Sequence, residues 1–343
     1  MKSEPFISVV IPTRDLSRYL IDENLPAFTK QTYKHFEVIV LPNEKSELDE
    51  TLLKKYPFLR IIPTHHITRP ALKRDIGVKH AKGDLIAFID DDAYPQPEWL
   101  QNAVAAFVTH GVGAVCGPGV LPPHAEPWEK AFDEVLKTKV GSGGYAYRFI
   151  PGKQQFVDDY PSMNFLITKK LFEKLGGFNN DYWPGEDSKL CNDLVYKEKE
   201  KILYSPKVAI YHHRRNKLKP YLKQHGSYGY HRGAFFAHGD ANSRRFVYLV
   251  PSLFTLYLFF VITDILFARF LKLPMTYLVI LLLPLTLYVL NMLVLAYRSL
   301  RNTRNTKVAI GAPLTLLLTH VYYGITFIKG LIAGYTKHDR IYS

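Results

Sequence analysis

The pattern of apolar and polar positions divides the chain near Arg245. Before it, short apolar runs alternate with segments of helical spacing. FISVVIP runs to Pro12, RYLIDENLPAFTKQTY has the spacing of a helix, and FEVIVL is a second apolar strand. LKKYPFLRIIP supplies a third strand, ALKRDIGVKHAKG a helix, DLIAFI a strand, WLQNAVAAFVTHG a helix and VGAVCGPGV a strand. Strands alternating with helices predict an α/β domain, a mainly parallel sheet flanked by helices. Residues 122–160, rich in Gly, Pro and aromatic residues, read as irregular, with SGGY and PGKQ as loops over a site. SMNFLITKKLFEKLGGF then returns to a strand and a helix ending at Gly176 and Gly177.

Beyond Arg245 the pattern changes kind. Residues 246–268 carry Asp264 as their one charge, and residues 273–297 and 308–328 carry none. Each run reaches the roughly 20 apolar residues that cross a bilayer. Three C-terminal transmembrane helices are expected within residues 246–335. Arg244 and Arg245 precede the first, and Arg298, Arg301, Arg304 and Lys307 occupy a loop between the second and third. Positive charge gathers on the cytoplasmic side of membrane proteins, so the soluble part is expected in the cytoplasm. MKSEPFISVVIPTRD lacks the long apolar core of a secretory signal. Residues 215–245 mix Lys, Arg and His with Tyr, Phe and Leu, and read as an amphipathic segment at the membrane interface.

A net charge of +13 and a pI near 9.4 call for an anionic partner. The membrane-flanking segments direct that charge toward membrane lipids and phosphorylated substrates, and nucleic acid is set aside. Cys116 and Cys191 have neither metal-ligand spacing nor a disulfide framework.

Candidate chemistry sits where the strands end. FIDDDAYP places Asp90, Asp91 and Asp92 directly behind a buried strand, at the edge where open α/β sheets bind ligands. Three adjacent carboxylates repel one another unless positive charge sits among them. Asp90 and Asp92 offer oxygen ligands to a hard divalent cation, although acidic residues after a strand also cap helices or face water. WPGEDSKLC adds Glu186 and Asp187 at a helix start, where a plain N-terminal cap is an equal reading. His212 and His213 follow the short strand VAIY, and on their own they read as surface histidines. Lys73, Arg74 and Asp75 open a helix, as diphosphate ligands or as a solvated face.

Taken together, FISVVIPTRD, QTYKHFEVIV, ALKRDIGVKHAKGDLIAFIDDDAYP, NFLITKKLFEKLGGF, GEDSKL and VAIYHH resemble, in order and spacing, glycosyltransferase family 2 over residues 6–235. The resemblance implies a cytoplasmic GT-A domain over residues 1–235 and an inverting sugar transfer. The donor would be a nucleotide sugar and the acceptor a lipid-linked or cell-envelope glycan. Mg2+ or Mn2+ is the implied cofactor. It assigns Thr13, Arg14, Asn43, Arg74, Asp75, Asp90 and Asp91 to nucleotide-sugar binding, and Asp90, Asp92 and His212 to the metal. Asp187 becomes the base, with Glu186 beside it, and Trp183 stacks on a sugar. The family's usual acidic base-reading stretch is replaced by LPNEKSE, so Pro42 and Asn43 stand there. The Gln-Arg-Trp motif of processive synthases is missing from KQHGSYGYHRG, which favours adding one or a few sugars. A sugar nucleotidyltransferase and a polyprenyl-phosphate sugar synthase are the rival readings. The first normally needs a glycine-rich phosphate loop, which VVIPTRDLS does not provide.

Overall fold

A computed structural model describes residues 4–178, 185–267, 270 and 273–336. Its central sheet has eight strands in the order β3-β2-β1-β4-β9-β6-β10-β8. These are β1 (Ile7–Pro12), β2 (Phe36–Leu41), β3 (Leu59–Ile61), β4 (Leu85–Ile89), β6 (Ala114–Cys116), β8 (Gln155–Val157), β9 (Asn164–Thr168) and β10 (Ile202–Tyr204). Strands β1 to β4 run parallel, β9 is antiparallel to both β4 and β6, and β8 is antiparallel to β10. The mainly parallel α/β sheet expected from the alternation is therefore present. A second sheet of β5 (Ala93–Pro95), β11 (Ile210–His212) and β7 (Gly119–Val120) lies in the same unit.

Strands covered on both faces read as near-continuous apolar runs. In β1 and β4, Val9, Ile11, Ala87 and Ile89 enter one core with Trp99 and Phe107, while Val10, Ile86 and Phe88 enter the other with Phe165 and Phe172. The helices covering these faces include α1 (Leu25–Thr29), α2 (Asp49–Lys55), α3 (Pro70–His80) and α4 (Trp99–His110). Helix α3 lies close on β1 and β2 because Gly77 has no side chain; a Cβ there would run into Val10 Cγ1 of β1 and meet Leu41 Cδ1 of β2 at 3.1 Å.

Two expectations about this region are corrected. VGAVCGPGV is two strands in different sheets, broken at Gly117 and Pro118. Residues 122–160 hold α5 (Pro127–Leu136) and α6 (Lys139–Ser142). Glu126 and Glu129 form a capping box at the start of α5, and Ala131, Phe132, Val135 and Leu136 give it a buried face. The surrounding Gly and Pro residues masked that period.

The chain divides into two compact units. One comprises the described residues up to Pro122 together with Tyr147–His213; the other holds Pro123–Ala146 and the chain from Arg214 on. Helices α7 (Lys169–Lys174) and α8 (Glu186–Asn192) belong to the first. The second contains α9 (Leu218–His238), α10 (Phe246–Phe267), α11 (Met275–Thr303) and α12 (Thr306–Thr336). The last three are long and apolar enough to cross a bilayer. The expected loop over Tyr297–Lys307 is instead helical as far as Thr303, and Arg304 (φ 51°) closes α11.

In α12, 44% of the most apolar window is buried within the protein, against 11% and 6% in α10 and α11. One part of α12 packs Val308, Ala312 and Leu316 against Ala131 and Val135 of α5. Further along, α12 meets the glycine stripe of α9. Gly229 faces Tyr323 and Thr326, and Gly233 faces Phe327 and Leu331. Small residues at this spacing let two backbones approach closely. At the N-terminal side, Asp133 of α5 is fully buried between Arg214 (2.9 Å) and Lys137 (2.5 Å).

The stripe makes a test in which two effects oppose. Gly229→Ala gains about 1 kcal/mol of helix propensity, but its Cβ would lie 2.7 Å from the Tyr323 carbonyl oxygen. Backbone cannot yield as a side-chain end can, so the variant should melt at lower temperature than wild type in detergent. An unchanged or raised Tm would show that the helices are not held this close.

Candidate active site

Each of the three aspartates behind β4 meets a different partner. Thr13 follows β1, the neighbour of β4, and its hydroxyl donates to Asp91 Oδ2 at 2.5 Å. Helix α3 brings in Arg74, whose Nη2 donates to Asp90 Oδ1 at 2.8 Å. Strand β11 pairs with β5 in a register that sets His212 opposite Ala93. As a result His212 Nε2 lies 3.3 Å from Asp92 Oδ1, and the His213 N–H donates to the Asp92 carbonyl at 3.0 Å. Burial raises the Asp91 carboxyl to about 6, against the lowering effect of the Thr13 hydrogen bond; Asp92 and Asp90 push it the same way as burial. The middle carboxylate thus relieves repulsion partly by holding its proton longer.

Asp90, Asp92 and His212 each offer one ligand atom, and these atoms lie within 4.8 Å of one another. Two carboxylates suit a hard divalent cation such as Mg2+ or Mn2+, and the imidazole beside them matches Mn2+ better than Mg2+.

Beside this cluster is a cavity of about 470 Å³ lined by Pro12, Thr13, Arg14, Asn43, Thr68, Pro70, Lys73 and Asp91. Thr13, Arg14, Asn43 and Asp91 were expected there; Thr68 and Pro70 were not. Lys73, for which a diphosphate ligand and a solvated helix face are the two readings, is 1% exposed and so does not lie on a solvated face. Its Nζ donates to Thr13 O (2.6 Å), Leu41 O (3.1 Å) and Asn43 Oδ1 (2.5 Å). Burial lowers the Lys73 ammonium to about 8, against the raising influence of Asp91.

The second acidic pair opens α8 behind Gly185, whose φ of 127° suits glycine. Asp187 accepts from the Ser188 N–H at 2.8 Å and the Ser162 N–H at 3.3 Å. Ser188 in turn donates to Asp159 Oδ1 (2.8 Å), and Arg148 holds Asp159 at 3.1 Å. This support crosses long sequence separations and left no local signal. Glu186 Oε1 is 3.7 Å from Arg74 Nη1, so one guanidinium links both acidic groups. Burial and then Asp187 push the Glu186 carboxyl up to about 7, against Arg74. Asp75 Oδ1 accepts from the Phe178 N–H at 2.8 Å and steadies the turn after Gly177. Trp183 lies outside the described residues.

Residues 8–176 match glycosyl transferase family 2. A relative from Methanococcus voltae, dolichyl N-acetyl-alpha-D-glucosaminyl phosphate 3-beta-D-2,3-diacetamido-2,3-dideoxy-beta-D-glucuronosyltransferase, is 26% identical over 96% of this chain and 98% of its own length. The chain belongs to glycosyltransferase family 2. The glucosyl-dolichyl phosphate glucuronosyltransferase of Haloferax volcanii is 20% identical over 60% of this chain and 68% of that protein. In fold, this glycosyltransferase is similar to the mannosyltransferase PcManGT of Pyrobaculum calidifontis, solved with GDP-Man and Mn2+. The TM-score is 0.50 at 19% identity, covering 97% of this chain and 87% of that one. The family match ends before Glu186, Asp187 and His212, so their places rest on geometry.

The raised Glu186 carboxyl has a stability consequence. Below about 4.5 it is protonated in the folded and unfolded chain alike, and burial costs it little. As pH rises from there to about 7 the unfolded chain ionises first, so the folded state loses ground. Glu186→Gln removes this loss. With chelator present, its Tm relative to wild type should climb between pH 4.5 and 7.5; a flat difference would show that Glu186 titrates normally.

Proposed function

We propose that the first unit transfers a sugar from a nucleoside-diphosphate donor to a hydroxyl of a lipid-linked acceptor, with inversion. The observation that carries this reading is Arg74, which joins the Asp90–Asp92–His212 cluster to the Glu186–Asp187 pair. A leaving-group site and a candidate base are thereby tied into one arrangement. The dolichyl-phosphate acceptors named for two relatives support the lipid-linked class.

Asp90, Asp92 and His212 would hold a divalent cation, which when bound supplies positive charge against the departing diphosphate. Thr13, Arg14 and Asn43 bind the nucleotide in the cavity beside it. Asp187, oriented by the Ser162 and Ser188 N–H groups, takes the proton of the acceptor hydroxyl as its oxygen attacks the sugar's anomeric carbon. The new carbon–oxygen bond forms as the bond to the diphosphate breaks on the opposite face, which inverts the centre. Glu186 retains a proton toward neutral pH, and this leaves the negative charge on Asp187. The clusters of Arg244 and Arg245, and of Arg298, Arg301, Arg304 and Lys307, favour a cytoplasmic catalytic unit and three crossings. The segment over 215–245 would contact anionic lipid.

Asp187→Asn preserves shape and removes the basic oxygen. Donor binding should persist while turnover falls by roughly 10²-fold or more. Near wild-type turnover, with Glu186→Gln inactive, would move the base to Glu186. Asp92→Ala should abolish the part of nucleotide affinity that depends on divalent metal; calorimetry giving the same affinity with and without chelator in wild type would remove that role. A reporter fused after Ser343 should be active only on the non-cytoplasmic side. Activity inside the cell would reverse the topology.

A further inference from the structure

Resting on the reading of Asp187 as the base, we infer that Asp159 is a positioning residue for that carboxylate and acts through the Ser188 hydroxyl. Two N–H groups meet the Asp187 carboxylate from segments far apart in sequence. The Ser188 N–H, on α8, donates to Oδ1 at 2.8 Å, and the Ser162 N–H, between β8 and β9, donates to Oδ2 at 3.3 Å. Together they fix the direction of the carboxylate only while these two segments keep their spacing. The Asp187 side chain cannot set that spacing, because it turns about its own bonds. A bond from Asp159 to Ser188 can. Asp159 shares the β8–β9 connection with Ser162, and its Oδ1 accepts from the Ser188 hydroxyl at 2.8 Å.

Asp159 is itself anchored. Arg148 Nη2 donates to its carbonyl at 2.6 Å and to its Oδ2 at 3.1 Å, which turns Oδ1 toward Ser188. The Arg148 guanidinium lies 5.4 Å from the Tyr160 ring centre, and the Tyr160 hydroxyl donates to Gly117 O at 2.6 Å, just beyond β6. Asp159 is 3% exposed and Ser188 7%, so water competes little for their bond, and a charged acceptor strengthens it. At that burial Asp159 does not reach an acceptor, and its influence passes through Ser188. A base acts only when it is aligned on the attacking hydroxyl, and a misplacement of about 1 Å can cost about 10²-fold in rate.

The test uses full-length protein in detergent with Mn2+. Turnover is read as nucleoside diphosphate released from a panel of UDP- and GDP-sugars, with water in place of the acceptor hydroxyl, and donor affinity by calorimetry. Ser188→Ala deletes one bond and leaves Arg148 paired with Asp159, so it should fold. Its turnover should fall by about tenfold or more while donor affinity holds. In an Asp187→Asn background, Ser188→Ala should change the remaining turnover by less than about twofold, because the group it helps to position is gone. Asp159→Ala, where it folds, should behave as Ser188→Ala does in both backgrounds. Wild-type turnover in Ser188→Ala, or a loss of equal size in both backgrounds, would overturn the inference and leave the bond a structural tie alone. Asp187→Asn at the wild-type rate, or a wild type that releases nothing from any of these sugars, would instead overturn the base reading, and this inference with it.

Discussion

Three consecutive carboxylates at the end of one strand are the constraint around which the catalytic unit is arranged. Like charges a few ångströms apart cannot all persist without compensation. Here each is answered from a different direction: Asp90 by Arg74 of α3, Asp91 by the Thr13 hydroxyl and a raised proton affinity, Asp92 by His212 of β11. The order of strands serves this. β1 must neighbour β4 for Thr13 to reach Asp91, and the small sheet must pair β11 with β5 for His212 to reach Asp92. The residual negative charge is what a divalent cation requires.

Arg74 extends the constraint further. It is buried, and it faces two acidic groups at once. A single long cation shared in this way couples the geometry of the Asp90–Asp92–His212 cluster to that of the α8 acids. Behind α8 a second ion pair, buried Asp159 with half-buried Arg148, holds Ser188 and thus the start of the helix. Both acidic groups are therefore supported by rigid elements and by fixed charges, as precise placement demands.

Much of this was legible in the sequence because it follows local rules. Apolar runs of strand length marked β1, β2 and β4, and runs of about 20 residues with at most one charge marked α10 to α12. Asp90 and Asp92 announced themselves as an uncompensated cluster. What stayed hidden was non-local or masked. α5 was concealed by the Gly- and Pro-rich composition around it, although Glu126 and Glu129 carried its capping signal. The role of Lys73 depends on the carbonyls of Thr13 after β1 and Leu41 in β2, and that of Asp75 on a backbone N–H after Gly177; no spacing encodes either. The glycine stripe of α9 was visible, but its partner on α12 lies about a hundred residues away.

Where a cation binds decides what the three aspartates are for. Anomalous diffraction from crystals grown with Mn2+ and a nucleoside diphosphate measures this directly. A single strong peak coordinated by Asp90, Asp92 and His212, with Arg74 still bridging to Glu186, is the predicted result. A peak elsewhere, or none at this cluster while the nucleotide is bound, would contradict the claim that the aspartates exist to hold a metal.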